Sequence, residues 1–146
     1  MIINYDKSIK KNAWKPKYLR NSIRAFVSGG SICLFGQILL KLYELAGFEK
    51  EETGSLMIVT LILIASLLTG IGVFDKIGQW AGAGSLVPVT GFANSMTSAA
   101  LEYKKEGLVL GVATNLFKLA GAVITFGVVS AYILGMLRYL IENFVL

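Results

Sequence analysis

The chain has 146 residues, 55% of them hydrophobic and 16% charged, with a mean hydropathy of +0.66, whereas a soluble domain carries roughly 45–50% apolar and about 25% charged residues. Its net charge of +5 resides wholly in the first 24 residues, where seven basic groups accompany one acid, Asp6, and charge confined to a short arm argues against a nucleic-acid partner. There is no histidine and one cysteine, Cys33, which excludes an internal disulfide, a Cys/His zinc site and a Ser-His or Cys-His catalytic pair.

These exclusions leave a small integral membrane protein, all-α, with no enzymatic activity, cofactor or metal site expected. Residues 1–24 read as a basic cytoplasmic amphipathic arm and residues 25–146 as a membrane domain. Within the arm, Tyr5, Trp14 and Tyr18 lie among lysines, a pattern of interfacial anchors beside a polybasic segment on anionic lipid. A plain basic tail that only sets topology would look the same.

Five runs lack any charge: 25–40, 53–74, 77–101, 107–117 and 119–137. A spanning helix needs about 20 predominantly apolar residues, so transmembrane helices are expected at about 25–43, 55–74 and 107–138. Arg24 and Lys41 would reach from the first span to the two interfaces. Gly29, Gly30 and Gly36 with Ser28, Ser31 and Gln37 give that span a small, polar side suited to helix contact. Basic residues favour the cytoplasmic side. The N-terminus therefore belongs there, the glutamate-rich loop after span one outside, and Asp75 and Lys76 inside again.

Segment 75–105 is different. In its uncharged part, 77–101, twelve of 25 residues are Gly, Pro, Ser, Thr, Asn or Gln. Pro88 removes a backbone donor and disfavours helix at Val87. Two half-helices, about 75–83 and 92–105, should meet at a Gly/Pro break, with Thr90 and Asn94 as N-caps of the second. Irregular backbone at membrane depth is tolerated where it is buried in protein or lines a wet cavity, and broken helices in transporters hold substrates at their half-helix ends. A substrate path is therefore expected along Lys76, Gly82, Gly84, Ser85, Pro88, Thr90, Gly91, Asn94 and Ser95, with Thr97 and Ser98 adding hydroxyls. Asn115 and Lys118 would join it, and Asp75 and Lys76 are gate candidates. Tight packing through Gly78-x-x-x-Gly82 would explain the glycines without any path. Two courses stay open: a re-entrant hairpin, favoured by Lys104 and Lys105, or a broken crossing helix. Lys118 likewise reads either as interfacial or as an intramembrane charge, the latter a pathway residue by default.

The run from Gly70 to Met96, GIGVFDKIGQWAGAGSLVPVTGFANSM, resembles the SpoVA family of stage V sporulation membrane proteins. Matching stretches include Ile23-Arg-Ala-Phe-Val, Gly36-Gln37, Glu106-Gly-Leu-Val-Leu-Gly-Val and Asn115-Leu-Phe-Lys-Leu-Ala-Gly, so the likeness covers residues 14–140 or so. The basic arm favours the family's AC branch over its AE branch. The resemblance implies a subunit of a complex in the bacterial spore inner membrane that moves dipicolinic acid with calcium, inward in sporulation and outward in germination. It also implies stretch-activated opening and partnership with stage V sporulation proteins AD and AE. Three spans enclose a pore poorly, so a homo- or hetero-oligomer is expected. The rival expectation is a scaffold subunit whose partner forms the pore.

Overall fold

The computed structural model describes residues 17–144, and among these there is no strand. The lipid-contacting reading of the arm before residue 17 lies outside the described residues. Helix α1, Tyr18–Leu45, has 28 residues and reaches about 42 Å at 1.5 Å per residue. It stops in a Schellman turn: Gly47 takes a φ of +93°, its N–H donates to the Glu44 carbonyl, and the Phe48 N–H donates to that of Tyr43. The hydrophobic contact that accompanies such a turn is the edge-on packing of Tyr43 on Phe48, with ring centroids 5.9 Å apart.

Helix α2, Lys50–Gly70, opens with Glu51 and Glu52 in its first turn, where the helix dipole favours acids, and packs back on α1. Gly36 of α1 sits against Met57 and Leu61. Tyr43 Oη and Thr60 Oγ1 are hydrogen-bonded at 2.6 Å. Interhelical bonds of this kind contribute about 0.6 kcal/mol and at most about 1.7 in membranes. Tyr43→Phe should therefore cost about 1 kcal/mol, read as lowered resistance to denaturant in micelles.

The broken segment folds as α3 (Val73–Ala81), a single turn α4 (Ala83–Leu86) and α5 (Val89–Tyr103). The first break falls at Gly82, whose φ of +57° and ψ of −130° lie outside what a side-chain-bearing residue adopts comfortably. The second falls at Val87 and Pro88. Helix α5 makes the most extensive helix contact in the molecule, on α2. Thr69 Oγ1 of α2 lies 2.8 Å from Asn94 Oδ1 of α5, and Ala65 and Ala93 share a small core with Phe74. Only Gly70 follows Thr69 in α2, so the nine residues of α5 beyond Asn94 can lie on α2 only by running back along it. Helix α5 thus lies antiparallel to α2, the direction that the crossing course calls for.

A 3₁₀ turn, Lys104–Glu106, reverses the chain. A wide π-turn follows at Leu108–Ala113, in which the Val112 N–H donates to the Gly107 carbonyl five residues back. It runs without interruption into α6, Thr114–Phe144. The whole stretch Leu108–Asn143 is one of three helices among the described residues that are long and apolar enough to cross a membrane, with α1 and α2 the others. Residues 122–143 of it are exposed all round, so the bundle proper consists of α1 to α5 and the start of α6. α1, α2, α5 and α6 alternate in direction, which brings the start of α1 and the end of α6 toward the same end of the bundle.

Candidate functional site

The expected path residues separate into three groups. The first is packed shut. The α4 backbone crosses α1 so closely that a Cβ on Gly84 would collide with the Ala25 carbonyl oxygen and with Ser28 Oγ, while a Cβ on Gly29 would sit 3.4 Å from the Gly84 carbonyl oxygen. Gly91 lies equally tightly against the Leu86 carbonyl. Ser85 is completely buried. Its hydroxyl donates to the Gly82 carbonyl at 3.2 Å, and Thr90 Oγ1 donates to that of Ser85 at 3.5 Å. These hydroxyls are thus spent on backbone carbonyls at the break, as buried polar groups require. The cavity beside them, about 240 Å³ between α1, α2, α3 and α5, is walled chiefly by Phe35, Leu61, Ala65, Phe74 and Ile77, an apolar lining that offers a dianion nothing.

The expected capping of α5 is corrected. The helix begins at Val89 behind Pro88, which stands at the cap position with ψ of 167°, and no side chain caps it. Thr90 is already inside the first turn. Asn94, a turn further on, is held by Thr69, whose hydroxyl also lies 2.7 Å from the Ala65 carbonyl. Asn94 thus ties α5 to α2.

The second group, Asp75, Lys76 and Gly82, is exposed. Asp75 and Lys76 stand on the outer face of α3, and Gly82 enters the wall of a separate groove against the start of α1.

The third group converges. Ser95 on α5 and Asn115 and Lys118 on α6 line one groove of about 460 Å³, together with Ser98, Glu102 and Tyr103. Ser95 donates to the Gly91 carbonyl at 3.0 Å, and Asn115 Nδ2 to that of Gly111 at 2.9 Å, so both side chains are fixed on their helices. Lys118 is exposed and makes no ion pair among the described residues, where Arg138–Glu142 is the one recorded. Residues 119–137 are uncharged and cover about 28 Å as a helix, close to the thickness of a bilayer's hydrocarbon core. Lys118 and Arg138 bracket that stretch, and the groove lies at its N-terminal end.

Glu102 and Tyr103 fall within the half-helix expected at about 92–105 but were not among the expected path residues. Ser95, Ser98 and Glu102 are spaced three and four apart, the repeat of one helix face, so the stripe was legible in the half-helix expected there. Nothing in the sequence alone paired it with Asn115 and Lys118.

No solved structure resembles the chain significantly. Stage V sporulation protein AC of Bacillus subtilis (strain 168) is 59% identical over 141 residues, covering 96% of this chain and 94% of that protein. The profile of the family described as SpoVAC/SpoVAEB sporulation membrane protein matches residues 21–137, which takes in all but the first three residues of α1, α2 to α5, the groove and most of α6. The chain therefore belongs to the SpoVAC/SpoVAEB family of sporulation membrane proteins.

Proposed function

We propose that this sporulation membrane protein is a channel or transporter subunit that moves dipicolinic acid, with calcium, across the spore inner membrane in sporulation and germination, without enzymatic activity. The observation that carries the proposal is the groove in which Ser95, Ser98, Asn115 and Lys118 meet between two helices of the bundle. A small planar dianion would be drawn to the Lys118 cation, to the Ser98 hydroxyl and to the second amide hydrogen of Asn115, against the repulsion of Glu102 on the same wall. The groove is open along one side, so a second copy or stage V sporulation proteins AD and AE would supply the facing wall. The basic end of α1 faces the cytoplasm and anionic lipid in this arrangement, and the alternating helices bring the C-terminus to the same side.

The decisive experiment is reconstitution of the purified chain into liposomes loaded with calcium dipicolinate. Release is measured before and after an osmotic downshift, with a neutral sugar of similar size as control. Release of dipicolinate on downshift with the sugar retained is the expected result for a selective, tension-gated subunit. No release from vesicles containing inserted protein would remove the lone-pore form, and AD and AE would then be added.

A scaffold role draws support from the packed break, where four expected path residues, Gly84, Ser85, Thr90 and Gly91, are buried. Ser98→Ala and Lys118→Gln in an assembled complex separate the two. Lost flux with assembly intact marks a path, and unchanged flux marks a scaffold.

A further inference from the structure

A groove of about 510 Å³ lies between the first two turns of α1 and the end of α3. Arg20 and Arg24, one helical turn apart, line it with Asn21 from α1 and Gln79 and Trp80 from α3, and no carboxylate is among the lining residues. The Arg24 guanidinium stands 5.8 Å from the centre of the Trp80 ring, within range of a cation–π contact. Among the described residues neither arginine forms an ion pair. Two guanidinium forks, an amide from each side and an indole make a site for a phosphate group, which arginine engages in bidentate fashion.

The surroundings show what carries the phosphate. Leu19, Ile23 and Phe26 run along α1 beside the arginines at helical spacing and are 78%, 56% and 83% exposed. This apolar stripe leads from the basic groove directly into the charge-free run that starts at Ala25. A soluble anion has no use for it. A lipid would lay its acyl chain along the stripe and its headgroup in the groove.

We infer that the groove between α1 and α3 binds the headgroup phosphate of an anionic membrane lipid and so clamps α3 onto α1 beside the Gly82 break. The inference rests on the placement of the start of α1 at a membrane face, and it is independent of what the protein transports.

Trp80 reports on the site directly, because the chain has two tryptophans and Trp14→Phe leaves it alone. The full chain in this background is reconstituted in mixed vesicles in which phosphatidylglycerol or phosphatidylcholine carries bromine near the headgroup end of its acyl chains. Brominated phosphatidylglycerol is expected to quench Trp80 preferentially, and Arg20→Gln and Arg24→Gln should each lower its relative affinity roughly fivefold. Arg20→Gln guards against the possibility that loss of Arg24 simply moves Trp80. Lys7→Gln with Lys10→Gln, which removes two charges from the arm, should leave the preference intact. Equal quenching by the two lipids overturns the headgroup site, as does a preference that survives both arginine substitutions. An equal drop in the arm-lysine variant would show diffuse attraction and no built site, and abolition by inorganic phosphate would show a soluble-anion site. Quenching by neither lipid overturns the membrane placement as well.

Discussion

Gly84→Val should break the bundle at its tightest crossing while leaving the individual helices intact. The wild-type backbone there already touches α1, and even a methyl group would overlap the Ala25 carbonyl oxygen, which no rotamer change can move. Overpacked sites cost about 1–3 kcal/mol and occasionally more. The upper end is expected here, because the obstacle is backbone and the Ser28 contact to the Ala81 carbonyl, 3.4 Å, would be lost with it. Helicity by circular dichroism should stay near wild type while resistance to denaturant in micelles falls by about 3 kcal/mol. Gly30→Ala is the control, since a Cβ there meets nothing within 4 Å. It should change stability by less than about 1 kcal/mol, in the stabilising direction. Equal behaviour of the two variants would mean that the α1–α4 crossing does not hold the molecule together.

The second large effect is on flux. Lys118→Glu should reduce dipicolinate release about tenfold or more, because it reverses the one basic charge lining the α5–α6 groove and a charged cleft changes the encounter rate by factors of 10–10³. Lys118→Arg should preserve most of the release. The deficit should shrink at molar salt, where the screening length falls to about 3 Å. Folding and assembly should be unaffected, since Lys118 makes no ion pair among the described residues. A deficit that persisted in high salt would point to a packing role for the lysine stem. An unchanged flux would take Lys118 out of the path.

The fold was legible where a local rule decides the outcome. Span-length apolar runs gave α1, α2 and α6. The small, polar side of the first span does serve helix contact: Gly29 and Ser28 meet the broken segment, and Gly36 meets α2. Gly82 and Pro88 interrupt the helix because one adopts a glycine backbone and the other has no N–H to give. What stayed hidden depends on pairing between distant residues. That Asn94 would meet Thr69, 25 residues earlier, and so act as a tie between helices, cannot be read from either neighbourhood. Thr90 looked like a cap because threonine favours caps, but the helix began one residue before it. Hydroxyls near a break announce polar company of some kind, and here most of that company is the protein's own carbonyl groups.

The π-turn at Leu108–Ala113 has a consequence for everything after it. Closing hydrogen bonds five residues back, it holds one residue more than an α-helical turn would. Were that turn to tighten to α with every residue kept, the surplus residue would advance the angular phase of α6 by about 100° relative to α5 and push it along its axis by about 1.5 Å. Asn115 and Lys118 would swing away from Ser95 and Glu102 without either being altered, and an uninvolved face of α6 would take their place. The chemistry of the groove is thus written partly in arc length. The width of the turn between Gly107 and Lys118 specifies the site as firmly as the lysine itself.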